Sequence, residues 1–374
     1  MSTIVYNDGS KYEGDVLNGK RHGSGIMRQT SGKTYDGEWQ DDKPHGRGIF
    51  TFADGSVYEG KFENGTPNGL GRIDFAEEGC YYAGSWKDGV YHGHGTERNA
   101  AAGYLYVGNF NEGVREGAGE ENLFNRGEIY NGDWLGGARH GKGKITKKDV
   151  LYYEGDFENG KPHGKGKFYY GDVESYEGDV VNGKKHGKGK YIFKSGGSYE
   201  GEFKNDDIEG YGVETMPSGD VFMGYRVDGC RTGFGTYIHK SGSRYDGNYK
   251  DGLPNGKGTY VYQGGDKYVG EFKDGNRHGY GEYYHTNGGV YKGEYKNNYP
   301  NGKGVYKYAR GGIYEGDFKD GKRHGYGIYR FPDGEWYEGE FKDGNFDGKG
   351  TYHYNTGSTK SGIWKNDVYV GEEE

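Results

Sequence analysis

Eight of the 12 histidines occupy one recurring position: His22, His45, His92, His140, His163, His186, His278 and His324. Imidazoles in such a series are the first place to look for a metal. The spacing argues against it. If each histidine sits on its own pair of strands, neighbours are about 10 Å apart, whereas ligands of one zinc each lie about 2 Å from the ion. Asn68, Asn255 and Asn301 take the same slot, which suits a hydrogen bond at a turn better than a metal centre. No metal ligand set and no cofactor site is therefore expected. The other chemistry-bearing patterns are as repetitive. Gly-x-Gly occurs throughout, but without the strand before it and the helix after it that a dinucleotide fingerprint needs. Acidic pairs such as Glu154/Asp156, Glu177/Asp179 and Glu315/Asp317 recur and mark no single position. No P-loop, nucleophile elbow or His-Glu-x-x-His zinc helix is present. The reading is a non-enzyme.

One charge pattern stands apart. Lys142 and Lys144, Lys165 and Lys167, and Lys188 and Lys190 repeat in register, forming two ladders. Between Arg139 and Lys190 there are 12 basic and 8 acidic residues, a local +4 in a chain of net charge −8. The ladders are the candidate anion or acidic-lipid site. The plainer reading pairs them with the Glu154/Asp156 and Glu177/Asp179 rows as a mixed, solvated face.

The elements that must hold these residues follow from a tandem repeat. An aromatic, any residue, then glycine recurs at Tyr12, Tyr35, Tyr58, Tyr82, Tyr106, Tyr130, Tyr153, Tyr176, Tyr199, Phe222, Tyr245, Tyr268, Tyr291, Tyr314 and Tyr337. Every step is about 23 or 24 residues. These are fifteen copies, starting near residue 12 and ending near 359. A partial capping copy covers 360–374, where Lys360-Ser361-Gly362-Ile363-Trp364 keeps the frame, and the tail 371–374 reads as its polar end. A second aromatic follows four residues after most anchors, as at Trp39, Phe62, Trp86, Phe272 and Phe318. A turn dipeptide comes next (Asn18-Gly19, Asn64-Gly65, Asp274-Gly275), then the His-Gly-x-Gly element, a short apolar run and a second glycine turn. Asn-Gly and Asp-Gly between aromatic stretches are hairpin signals, so each copy is expected to be one hairpin with strands of roughly 5–6 residues.

Composition agrees. Glycine accounts for 79 of 374 residues and aromatic residues for 17%, while seven leucines cannot build a helical bundle. No stretch has a helical period, and no apolar run approaches the ~20 residues of a membrane helix. No charged-then-apolar leader opens the chain. Cys80 and Cys230 are the two cysteines, as expected in a reducing compartment. The pI near 5.9 argues against nucleic acid as a partner.

The pattern resembles the MORN-repeat family, for example in Tyr314-Glu315-Gly316-Asp317-Phe318-Lys319-Asp320-Gly321-Lys322-Arg323-His324-Gly325-Tyr326-Gly327, and the resemblance spans about residues 4–364. The expected fold is all-β: an elongated, single-layer, twisted antiparallel meander of about fifteen hairpins in one array over 1–374, on the order of 140 Å long at ~4.8 Å per strand. One face carries the anchor, glycine and second aromatic; the other carries the charged positions. Aromatic rows over a glycine floor form the expected partner groove, with Tyr35, Trp39, Tyr58, Phe62, Tyr268, Phe272, Tyr314 and Phe318 as its candidates. Tyr337, Phe341 and Trp364 are the candidates for self-association near a terminal edge. The resemblance implies a structural scaffold of the cytoskeleton or ciliary axoneme, in cytoplasm or at the cell cortex. Its partners would be cytoskeletal or axonemal proteins and a second copy. The alternative is a membrane tether reading acidic phospholipids through the lysine ladders. The copies near residues 205–235 depart from the pattern, through drift, a bend or a partner contact.

Overall fold

The computed structural model describes residues 2–372; Glu373 and Glu374 of the expected polar end lie outside the described residues. It contains strands and turns and, among the described residues, no helix. The chain forms two compact units, residues 1–186 and 187–374. Within each, the strands form an open antiparallel sheet in which each strand pairs with its neighbours in sequence.

One repeat shows why the sequence folds this way. In the first unit, the strand Val57–Glu63 runs into the dipeptide Asn64-Gly65, then the strand Thr66–Asp74 returns. Both turn residues have positive φ, 51° and 94°, the tight hairpin geometry that Asn-Gly favours. In some repeats the second turn residue is not glycine. Asp42 (φ 68°), Asn298 (φ 76°) and Asp367 (φ 66°) adopt the same conformation. There the side chain compensates by accepting a backbone N–H from the preceding repeat: Arg21 at 2.9 Å, Arg277 at 2.9 Å and Phe346 at 2.7 Å respectively. Asn205-Asp206, which lacks the turn glycine, has φ of 51° and 81°, so the departure in sequence leaves the local turn unchanged.

The strands are longer than the sequence implies, seven and nine residues in this hairpin. The reason is that the His-Gly-x-Gly element (Asn68-Gly69-Leu70-Gly71 here) is not a separate piece but part of the second strand. Gly60 pairs with Gly71 and Phe62 with Pro67, so the second strand bulges between them, with Gly69 at φ +88°.

The bulge creates the core. Tyr58 lies over the paired glycines: a Cβ on Gly60 would sit 2.5 Å from the Gly71 Cα, and one on Gly71 would sit 2.5 Å from the tyrosine Cζ. Only bare backbone fits under the ring. The phenol then donates to the carbonyl three residues on, Lys61, at 3.0 Å. The same bond recurs from Tyr12 to Asp15 at 2.7 Å, Tyr130 to Asp133 at 2.8 Å, Tyr268 to Glu271 at 2.9 Å and Tyr314 to Asp317 at 2.8 Å. A buried hydroxyl is thereby satisfied and a bulge carbonyl capped.

Second aromatics lock the repeats together. In the first unit, edge-to-face contacts run Tyr12–Trp39–Tyr35–Phe62–Tyr58–Trp86 at centroid distances of 5.0–5.5 Å and continue to Tyr153. In the second unit a like series joins Phe222 and Tyr249 to Trp364. This is the preferred aromatic pairing geometry, worth about 0.5–1.5 kcal/mol per pair beyond burial. Ring contacts thus run without a break from Tyr12 to Tyr153 in the first unit and from Phe222 to Trp364 in the second.

Candidate interaction surface

The rings proposed for a partner groove are this core. Tyr35, Trp39, Tyr58, Phe62, Tyr268, Phe272, Tyr314 and Phe318 are each at most 7% exposed, so the expectation of an open aromatic groove is corrected. Two things cover them. Each ring is packed against rings of the adjacent repeats, and the residue before the histidine slot closes the outer side. The Arg21 guanidinium lies 4.2 Å over Trp39, and Arg115 lies 4.5 Å over Tyr106 and 5.2 Å over Trp134. In other repeats that position pairs with the second aromatic as proline, as Pro44 does with Trp39 and Pro67 with Phe62. The self-association candidates are likewise covered: Tyr337, Phe341 and Trp364 are 0%, 2% and 6% exposed, with Phe346 stacked on Tyr337 at 3.8 Å.

Burial of this arginine row has an electrostatic consequence. Arg115 reaches Glu97 at 2.9 Å and Glu121 at 2.8 Å, and Arg139 reaches Glu121 and Glu128, both at 2.9 Å. Each charge finds an opposite partner, as half-buried charges require. This network lies behind the aromatic core and has no counterpart among the residues singled out from the sequence.

The accessible relief is on the opposite, charged face. There the glycine pairs form a floor, and the residues flanking them form two walls. One such trough in the first unit has Gly37, Gly48, Gly60 and Gly71 beneath, and Glu38, Arg47, Lys61 and Leu70 alongside. A second has Gly166 and Gly178 beneath, and Glu154, Lys165, Lys167 and Glu177 alongside. Both are open to solvent.

The lysine ladders stand on these walls, interleaved with carboxylates. Lys142 and Lys144 are in register with Asp156 and Glu154, and Lys165 and Lys167 with Asp179 and Glu177. Lys142 is ion-paired to Asp156, Lys144 to Glu154 at 3.2 Å, Lys165 to Asp179 at 2.5 Å and Lys167 to Glu177 at 3.5 Å. In the second unit, Lys188 is in register with Glu202, and Lys190 pairs with Glu200 at 3.8 Å. Glu154 is held below the ordinary carboxyl value, first by the hydrogen bond from Tyr169 and then by that from Lys144. The ladder is a checkerboard of both signs.

Side chains in the histidine slot reach either their own hairpin, as His163 does to Glu158 at 3.4 Å and Glu116 does to Asn111 at 3.3 Å, or the next repeat's hairpin turn. Asn255 bonds Asp274 at 3.4 Å, Asn301 bonds Asp320 at 3.3 Å, and Glu209 accepts the Asp228 N–H at 3.3 Å. Backbone carbonyls of His45 and His324 accept from the anchor phenols of Tyr35 and Tyr314. Among the described residues no three metal-ligating side chains converge.

The repeat at Phe222 differs from the rest. Its anchor has no hydroxyl to cap the bulge, and Arg226 stands where the second aromatic would be, bonded to Glu214 and to the Gly229 carbonyl. On its charged face the pattern changes too: Tyr211, Tyr225 and Phe234 are 46%, 52% and 61% exposed.

The MORN-repeat family model matches fourteen stretches between residues 12 and 359, leaving out the copy at 222–244. The chain belongs to the MORN-repeat family. The unmatched copy still forms the family's hairpin, with Gly224 opposite Gly235, and its sequence differs at the anchor and second aromatic just described. No curated protein matches the MORN chain. Solved structures similar to it include the TCP10 domain of Danio rerio CPAP, at 13% identity over 54% of this chain and 95% of that one, with a TM-score of 0.31. The SAS-4 TCP domain of Drosophila melanogaster, in complex with a proline-rich motif of Ana2, is similar at 14% identity over 42% and 87%, TM-score 0.27. A virginiamycin B lyase from Staphylococcus aureus is similar at 12% identity over 65% and 86%, TM-score 0.14. At these scores no functional argument passes from them to the MORN chain.

Proposed function

We propose that this MORN chain is a non-enzymatic scaffold of the cytoskeleton or ciliary axoneme that seats partner proteins on its charged face. The observation that carries the reading is the division of labour between the two faces. The anchor and second aromatic side chains, of the kind that usually supplies binding energy at an interface, are used to join repeat to repeat. What the charged face leaves accessible in the repeats around residues 36–72 and 154–178 is a glycine-floored trough with side-chain walls, open to solvent. Such a surface suits the docking of another protein and lacks the enclosed apolar pocket of a small-molecule site. MORN repeats are in general protein–protein or membrane-association modules without catalytic machinery.

Membrane tethering through the lysine ladders is the weaker alternative. An anionic surface would have to compete with Asp156, Glu154, Asp179 and Glu177, which already neutralise four of the six lysines. The test is affinity capture with the full chain from a detergent-insoluble cytoskeletal fraction, against a soluble fraction from the same cells. Saturable enrichment of defined proteins from the insoluble fraction supports the scaffold reading. Equal recovery from both fractions refutes it.

A further inference from the structure

We infer that the outward face of three adjacent strands in the second unit, Asp207–Thr215, Val221–Val227 and Cys230–Ile238, is the docking site for a basic amphipathic helix of a partner protein. The inference deepens the scaffold reading and rests on it.

Alternation along a strand fixes which residues face outward. They are Tyr211 and Val213 on the first strand, Met223 and Tyr225 on the second, and Phe234 and Ile238 on the third, in register with one another or with the next strand. The remaining outward positions, Thr215, Val221 and Thr236, are uncharged as well. The lysine-ladder repeats fill the same positions with ions, Lys142 opposing Asp156 where Tyr211 opposes Tyr225, and other first-unit repeats fill them with smaller non-aromatic groups, Leu70 opposing Ser85 and His94 opposing Asn109. The two tyrosine rings touch each other edge-on, 5.3 Å between centroids, and are left half in solvent. This is an uncharged window set apart by three exposed aromatic rings on adjacent strands. Exposed aromatic residues grouped on one side of a chain mark interaction sites more often than single ones do.

Two features select the occupant. First, the strand Val221–Val227 is paired on both sides, with Asp207–Thr215 and with Cys230–Ile238. Its backbone groups are used, so an incoming extended peptide would gain no ladder hydrogen bonds and would leave its own unmet. A helix satisfies its backbone internally. Second, the size fits. Three strands are about 14 Å across, and three alternate residues are about as long. A helix about 10 Å wide rising 1.5 Å per residue covers that with about ten residues, or three turns. An apolar stripe at i, i+3, i+4 and i+7 then meets the window. The strand bordering one side, Ser198–Lys204, presents Glu200, which Lys190 already pairs at 3.8 Å, and the exposed Glu202, whose carboxylate lies against Gly210 at the edge of the window; Glu202 calls for a Lys or Arg on that flank of the stripe.

The probe is a fluorescein-labelled, hydrocarbon-stapled twelve-residue helix with a Leu/Ile stripe flanked on one side by lysine, titrated with the full chain by anisotropy. The test variant is Tyr211→Lys, Tyr225→Asp and Phe234→Lys together, which installs the residues used at Lys142, Asp156 and Lys165 and so keeps the fold; circular dichroism checks this. Tyr280→Lys, an exposed tyrosine elsewhere in the same unit, is the control. Expected are saturable binding by the wild type, at least tenfold weaker binding by the triple variant, and no change in the control. Replacing the probe's lysines with glutamate weakens binding, and a proline-broken version of the peptide does not bind. Equal binding by the triple variant, equal binding of the broken peptide, or none by the wild type overturns the inference. So does a wild-type dimer in sedimentation velocity that the triple variant abolishes, which makes a second copy the occupant. Pelleting with neutral phosphatidylcholine vesicles that the triple variant abolishes makes it a lipid and overturns the inference equally. The scaffold reading is judged separately. Cytoskeletal proteins captured equally by wild type and triple variant sink the window but leave the scaffold standing, whereas no enrichment by the wild type sinks the scaffold.

Discussion

Gly281→Ala and Gly235→Ala, two single substitutions in the same unit, should differ in cost by a factor that depends on one ring. Gly281 lies under Tyr268, and an added Cβ would be 2.6 Å from its Cζ, well inside contact distance. The ring cannot swing away cheaply. It is fully buried, held by edge contacts with Phe272 at 5.2 Å and Tyr295 at 5.1 Å, and its hydroxyl is bonded to the Glu271 carbonyl at 2.9 Å. Overpacking of this kind costs about 1–3 kcal/mol, and breaking the hydrogen bond as the ring shifts adds about 0.5–1.5 kcal/mol. The expected loss for Gly281→Ala is therefore ~2–4 kcal/mol. Gly235 lies under Phe222, where the nearest ring carbon would be 2.9 Å from the added Cβ. That neighbour has only tenths of an ångström to give, and there is no hydroxyl to lose. The expected cost is ~1 kcal/mol, at the low end of overpacking. Urea unfolding of the full chain, followed by tyrosine fluorescence and by near-ultraviolet circular dichroism of the aromatic core, reads the difference. Equal losses, or a neutral Gly281→Ala, refute the argument that the ring over bare backbone holds the repeat together.

Three further outcomes follow from the same contacts. Phe222→Tyr should stabilise the second unit by about 0.5–1.5 kcal/mol, because it supplies the phenol that other anchors use to cap the bulge; an unchanged or lower urea midpoint contradicts it. Burial pushes the phenols of Tyr58 and Tyr106 from 10.0 up to about 12. Their neutral form is favoured in the fold, so the stability they contribute is complete below pH 10 and is lost as pH rises through 12. Tyrosinate absorbance and loss of near-ultraviolet circular dichroism should rise together on alkaline titration, and ionisation of these rings with the fold intact would contradict it. Replacing all six of Lys142, Lys144, Lys165, Lys167, Lys188 and Lys190 with glutamate should not change pelleting with acidic phospholipid vesicles, since the wild-type lysines stand among carboxylates; a several-fold loss would restore the membrane reading.

The repeat, its hairpins and the antiparallel sheet are legible in the sequence because each rests on local chemistry: Asn-Gly turns, alternation and a glycine-anchored period. The aromatic face was also legible, but its accessibility was not. Tyr35 and Trp39 look like a groove when one repeat is read alone. They become core because Phe62 from the next repeat and Arg21 from the preceding one close over them, contacts that depend on the geometry of the bulge. The strands run to seven and nine residues for the same reason, since the bulged glycines continue the strand. The arginine and glutamate network from Glu97 to Arg139 depends on where half-buried side chains meet across repeats, which periodicity does not show. The window at Tyr211, Tyr225 and Phe234 was partly visible as a departure from the pattern. Reading only the outward positions of successive strands would have shown its missing charges.

Cross-linking mass spectrometry on complexes captured by the full chain from the cytoskeletal fraction tests most directly where partners sit. Inter-protein cross-links should concentrate on lysines of the charged face, such as Lys61, Lys165, Lys257 and Lys303. Cross-links confined to the hairpin-turn lysines, such as Lys20, Lys43 and Lys322, with the charged-face lysines equally reactive in free and captured chain, would contradict it.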